Sequence, residues 1–334
     1  MILFYLLSLA SGFFEVGPVV MILSGNGDIT SAIIVVLCYQ AGNLVPCPIT
    51  LSRRMTLITA VFSAISFSLY AVFQMDPAGL PLLMVSVLFA SAGIQSARSV
   101  MKTNAPKLLK RGMRVTGFGL GFLCFPALAA AGALIITLTV LLISLLPDYR
   151  ERFALPKRCG FLVPSLGVLN WTMVFHQMHY FVYCYAVLIT AYLTGGKTTA
   201  LVIFLLGWIV YVISPRLYSS FTDYRKIFLI GHSLLAIILI GIYFVPSVSF
   251  KAAFWVLTGI GGTTEFCIGK LSHRDWDIYR SERSTFSENL GHVLGVLTCL
   301  IIYIASGSLL NTVLFAAGFI LIAITLISAE RMAK

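Results

Sequence analysis

The chain is a succession of apolar runs, each near the length of a bilayer crossing, separated by short polar breaks. About 20 apolar helical residues span a bilayer, and inside lipid every backbone polar group must be paired within the protein. The runs lie at 2–23, 31–51, 55–74, 79–97, 114–131, 132–146, 171–193, 199–214, 227–245, 250–269, 288–304 and 309–328. They predict an all-α membrane protein with twelve transmembrane helices. The pair 114–131 and 132–146 is the tightest of these, because its second run is short. Composition agrees: 59% of the 334 residues are hydrophobic and 10% are charged, against about a quarter charged in soluble domains. The first run starts almost at Met1 and lacks the basic segment of a cleavable signal, so it is expected to stay as a span.

The basic residues set the predicted orientation. With the N-terminus inside, all of the 23 Lys and Arg except Lys197 and Lys251 fall at inside loops or inside ends. That asymmetry places both termini in the cytoplasm. A net charge of +11 then reads as a topology signal and a contact for anionic lipid headgroups, and not as a nucleic-acid site. The seven cysteines show no CxxC spacing and mostly fall in apolar runs. They read as buried thiols, with no disulfide framework and no metal-ligand set.

The chain also resembles itself. SRRMTL, after the second run, matches DYRKIFL in the later half; Gln95 aligns with Glu265, and Gly121 with Gly291. Two six-helix pseudo-repeats follow, 1–146 and 171–334, joined by a cytoplasmic or interfacial linker at 147–170. Parallel halves of this kind are a transporter design.

Polar groups inside apolar runs are costly and mark function. Glu15 lies in the first run and Glu265 in the tenth. The stretch WTMVFHQMHYFVYCYAVLITAYL at 171–193 carries His176, His179, Tyr180 and Tyr183 on one helical side. Phe14 and Trp208 add aromatic surface. Carboxylates and imidazoles in a shielded cavity can exchange protons near neutral pH, so Glu15, Glu265, His176 and His179 are the candidate proton-coupling groups. His232 and His292 read as structural residues.

Architecture and motifs together make the chain similar to the major facilitator superfamily, over its whole length. The family's loop motif GxLaDrxGrkxxl aligns with VPCPITLSRRMTL, keeping Arg53, Arg54 and Leu57 but with Ile49 for the aspartate; the later copy keeps Arg225, Lys226 and Leu229. The antiporter pattern gx8Gx3GPx2GG aligns with Gly112, Gly121, Pro126, Ala129 and Ala130. Ala92 stands where the family often has an arginine. The resemblance implies that spans one, four, seven and ten line a central cavity. Those spans carry Glu15, Gln95, the His176–Tyr183 stripe and Glu265. Phe14, Gln95, Tyr180, Tyr183 and Trp208 become the candidate substrate contacts.

The expected function is a proton-coupled antiporter in the cytoplasmic (inner) membrane. It would export a small neutral or cationic amphipathic compound as a monomer, without cofactor, metal or catalytic residues. No GxxxxGK[ST] phosphate loop is present to drive transport with ATP. The alternatives are an importer on the same fold, a non-transporting sensor, and a membrane enzyme built on His273, Asp275, Asp277 and Glu282.

Overall fold

The computed structural model describes residues 2–25, 27–45, 79–100, 107–123, 167–217, 223–273 and 278–332, with single positions at 58, 61 and 65. The run at 132–146, the run at 55–74 apart from those three positions, most of the 147–170 linker, Arg53, Arg54 and Pro126 lie outside them. The chain divides into two compact units, Met1–Val163 and Pro164–Lys334.

The described part of the first unit contains α1 (Ile2–Ser24), α2 (Ile29–Leu44), α3 (Leu80–Val100) and α4 (Lys107–Leu123). Asp28 caps α2: its Oδ1 accepts from Ser31 N at 2.7 Å and its Oδ2 from Ser31 Oγ at 2.9 Å. The backbone hydrogen bond from Ser31 is the main cause that holds the Asp28 carboxyl below its ordinary range. Helices α1 and α4 pack through glycine. A Cβ on Gly117 would collide with the Leu9 carbonyl, and one on Gly12 with the Arg114 carbonyl. Gly121 stands 3.0 Å by the same measure from Gly17 N. Small residues in register let two backbones touch, which replaces the hydrophobic drive that lipid removes.

The second unit begins with α5 (Val168–Leu217), a 50-residue helix broken at Gly196, where φ is 76°. That positive φ suits glycine and turns the chain between two arms. Next come α6 (Tyr224–Phe244), α7 (Val248–Leu257), a 3₁₀ turn (Thr258–Ile260), α8 (Gly261–His273), α9 (Ile278–Ser306) and α10 (Thr312–Met332). Asp223 caps α6 by accepting from Lys226 N at 3.0 Å. The loop-motif residues Arg225 and Lys226 therefore occupy the first turn of α6. The core gathers Met173, Phe228, Cys267, Ile268, Ala323 and Ile327, from α5, α6, α8 and α10.

Glycine again sets the contacts. Gly291 and Gly295 of α9 lie against the backbone around Val174 and Met178 of the first α5 arm. Gly121 and Gly291, aligned by the internal repeat, thus each press a helix against the first span of its own unit. Gly259 and Gly262 face Gly207 and Tyr211 of the second α5 arm. There the helix within the run 250–269 tightens into the 3₁₀ turn. Ser214 Oγ donates to Gly259 O at 3.2 Å and Trp255 Nε1 to Ile203 O at 3.2 Å, so the crossing is tied by polar contacts. Such pairing is what permits irregular backbone at membrane depth.

Among the described residues, five stretches are long and apolar enough to cross a membrane: Tyr5–Ser24, Val168–Arg216, Tyr224–Phe244, Thr285–Ser306 and Leu309–Ala329. The exposed faces of α6, α9 and α10 carry Ile230, Ile237, Phe244, Ile301, Ile304 and Leu321. Contiguous apolar faces of this kind suit lipid and not water. The helices α4 and α9 start earlier than the apolar runs predict, at Lys107 and Ile278. Lys, Arg and Glu are good helix formers, so a helix can outlast its membrane segment.

The glycine contacts yield a stability test. G117L must push α1 from α4 and is expected to cost at least the ~1–3 kcal/mol of an overpacked core, read as a lower unfolding temperature in detergent. G112A meets nothing within 4 Å and should leave that temperature unchanged or slightly raised.

Candidate functional site

In the first unit the buried acid has a partner. Glu15 sits on α1, 3% exposed, and Arg114 reaches it from α4. Arg114 Nε donates to Glu15 Oε2 at 3.1 Å, and Nη2 donates to the same oxygen. The guanidinium also lies 5.7 Å from the Phe118 ring centroid, one turn along α4. The reach depends on the close approach at Gly12 and Gly117, since bulkier residues there would separate the two helices. Phe14 is fully buried and edge-on to Phe13 at 5.2 Å. Tyr39 Oη donates to Ser11 O at 2.9 Å, one turn before Glu15. Gln95 is half-buried on α3.

In the sequence Arg114 falls among the cations at inside loops and inside ends. The helix that starts at Lys107 instead carries Arg114 inward, where it meets a carboxylate 99 residues away in the chain. Periodicity cannot show such a pairing.

In the second unit, His176 and His179 of α5 are joined by His232 of α6, and all three are buried. His176 Nδ1 and His232 Nε2 are 3.1 Å apart. The ring centroids are 5.0 Å apart for His176–His179, 5.1 Å for His176–His232 and 5.4 Å for His179–His232. His232 Nδ1 lies 3.1 Å from the Phe228 carbonyl, and the Phe228 ring stacks on the imidazole at 3.8 Å. His232 had read as a packing residue, because one histidine in an apolar run carries no pattern of its own. His292 packs against the Phe181 ring at 3.9 Å, outside this group.

Beyond the histidines runs a chain of aromatic rings. Tyr180 meets Tyr183 at 5.8 Å and Tyr211 at 6.3 Å; Tyr211 meets Trp208 at 5.0 Å; Tyr183 meets Trp255 at 5.6 Å. The candidate contacts Tyr180, Tyr183 and Trp208 thus belong to one connected group of rings with Tyr211 and Trp255, in which Tyr183, Trp208 and Trp255 are buried. Glu265 lies within α8, but its side chain is outside the described residues. Gly121 is buried against α1, whereas Gly112 faces open space.

No protein-family model matches the chain, and no curated protein does either. Solved structures do. A bacterial homologue of the iron transporter ferroportin, outward-facing and soaked with iron, is 16% identical over 98% of this chain and 97% of that chain, with a TM-score of 0.66. The D-xylose-proton symporter is 14% identical over 96% of each chain, with a TM-score of 0.66. The Major Facilitator Superfamily transporter FucP, in its outward conformation, is 12% identical over 98% of each chain, with a TM-score of 0.62. Together with the apolar stretches, this likeness makes the chain a multi-pass helical membrane protein.

The ion pair can be tested directly. R114M leaves Glu15 as a buried charge without its guanidinium, and is expected to destabilise by about 3 kcal/mol, the low end for a broken buried pair. E15L/R114M removes both charges and should recover most of that loss. Thermal unfolding of the three purified proteins measures it.

Proposed function

We propose, from the major facilitator fold the chain shares with these transporters, that it is a secondary active transporter that exports a small amphipathic compound in exchange for protons. The observation that carries this reading is the buried Glu15–Arg114 pair in a chain of this fold. A carboxylate paired with a guanidinium changes its bonding when it takes a proton: the charge that attracts Arg114 is lost, and the α1–α4 contact loosens. A proton thereby gains a means to shift helix packing, which is what alternating access requires. Glu265 serves as the second candidate carboxylate. His176 and His179 are the further candidates for carrying protons.

The pair carries no net charge, so it offers no excess positive charge to draw an anionic cargo. The connected rings of Tyr180, Tyr183 and Trp208 suit a lipophilic or planar molecule, and their faces can also hold a cation. Phe14 and Gln95 are assigned to the same task. The cargoes named for the solved structures, iron for one and D-xylose for another, differ from each other. Likeness of fold therefore does not select the cargo, and the aromatic surface is the guide. Twelve crossings in halves 1–146 and 171–334, cytoplasmic termini, an inner-membrane location, headgroup contacts through the basic loops and a monomeric state complete the proposal. It leaves no role for enzymatic chemistry at His273, Asp275, Asp277 or Glu282.

Everted membrane vesicles decide the direction. With the interior acidified, vesicles carrying the protein are expected to accumulate a fluorescent lipophilic dye several-fold above vesicles lacking it. A protonophore should abolish the difference. Proton-driven uptake of the same dye by right-side-out vesicles, and none by everted ones, would make the protein an importer.

A further inference from the structure

We propose that His176, His179 and His232 form a three-imidazole site for one late first-row transition-metal cation, with zinc(II) as its reference occupant. The proposal goes beyond the transport reading and does not depend on it.

The geometry is that of a ligand set. His176 and His179 are three residues apart on α5 and so share a face, and α6 brings His232 to it. One ligand nitrogen from each of the three rings lies within 4.8 Å of the others. A tetrahedral zinc with Zn–N bonds of about 2.0–2.1 Å holds its nitrogens roughly 3.3 Å apart. The His176–His232 pair, at 3.1 Å, already stands near that spacing.

The surroundings prepare the nitrogens. A carbonyl can only accept, so the contact with Phe228 O places the His232 proton on Nδ1. That leaves the Nε2 lone pair turned towards His176. Metal-bound histidines commonly show this arrangement, the second nitrogen donating to a carbonyl and fixing tautomer and ring direction. Stacking of the Phe228 ring on His232 holds the plane as well. His179 is buried as well, 1% exposed, beside the Phe175 and His176 backbone of its own helix, which can take the proton of one ring nitrogen. The His176–His232 contact can be met by a hydrogen bond; a metal ion would replace that contact and engage all three rings at once.

Chemistry narrows the ion. Three neutral imidazoles suit zinc, copper, nickel, cobalt or iron, whereas magnesium and calcium require oxygen ligands. The three ligands would leave a fourth position for water or another donor. An ion here would tie the first arm of α5 to α6.

The test uses tag-free, full-length protein purified in detergent, stripped with a chelator and dialysed against zinc. Elemental analysis is expected to find one zinc per chain, and X-ray absorption to show a shell containing three nitrogens at about 2.0–2.1 Å. Titration with cobalt(II) should give the intense visible absorption of a four-coordinate ion. H179Q and H232Q should each weaken zinc binding by about 100-fold or more, since even outer-sphere partners are worth about 10- to 100-fold. H292Q, outside the cluster, should bind as wild type. Wild-type protein that retains no zinc, an oxygen-only shell, or undiminished binding by folded H179Q and H232Q would overturn the proposal. The wild-type stoichiometry and its ligand shell decide the matter even where a variant fails to fold.

Discussion

Backbone-to-backbone contact between helices is the constraint on which the rest of this structure depends. In lipid an apolar side chain gains nothing by leaving its surroundings, so helices associate through close packing and polar contacts. Here glycine supplies the closeness. Gly12 and Gly117 join α1 to α4, Gly291 and Gly295 join α9 to the first arm of α5, and Gly259 and Gly262 join the 3₁₀ turn to the second arm. The functional groups follow from these contacts. Arg114 reaches Glu15 because α1 and α4 touch. Tyr183 meets Trp255, whose indole is tied to the same crossing that holds the 3₁₀ turn.

The two units answer the same problem in parallel. In each, a glycine aligned by the internal repeat, Gly121 or Gly291, packs a helix onto the unit's first span. The polar residue then differs. Gly121 faces Phe13 and Gly17, with Glu15 between them; Gly291 faces Val174, with His176 two residues on. A carboxylate with a guanidinium occupies one unit, and a group of imidazoles occupies the other. The helix contacts are alike in the two units while the buried chemistry differs, as fits a fold that is separable from its function.

Much of the fold could be read in the sequence, because bilayer thickness imposes a length and a hydropathy on each span. The starts and breaks were less visible. Hydropathy locates the membrane segment, not the helix, so α4 and α9 begin in charged sequence. Gly196 falls in the gap between the runs 171–193 and 199–214, and the structure makes it a single positive-φ turn between two arms. The site was half legible. Glu15, His176 and His179 stood out as polar residues in apolar runs, and Tyr180, Tyr183 and Trp208 as aromatic surface. Their partners, Arg114 and His232, did not stand out. Each comes from another helix, and pairing across helices is decided by packing that a linear pattern does not contain.

The buried carboxylate and its guanidinium tie the fold to the proposed activity, so proton movement is the most direct measure of the account. Purified protein in liposomes with an enclosed pH-sensitive dye gives that measurement. Addition of a transported lipophilic dye should drive a proton flux in wild type, and E15Q/R114Q, which keeps the shape of the pair but neither charge, should bind that compound without moving protons. Equal proton flux from wild type and E15Q/R114Q, or transport by wild type with no proton movement at all, would contradict it.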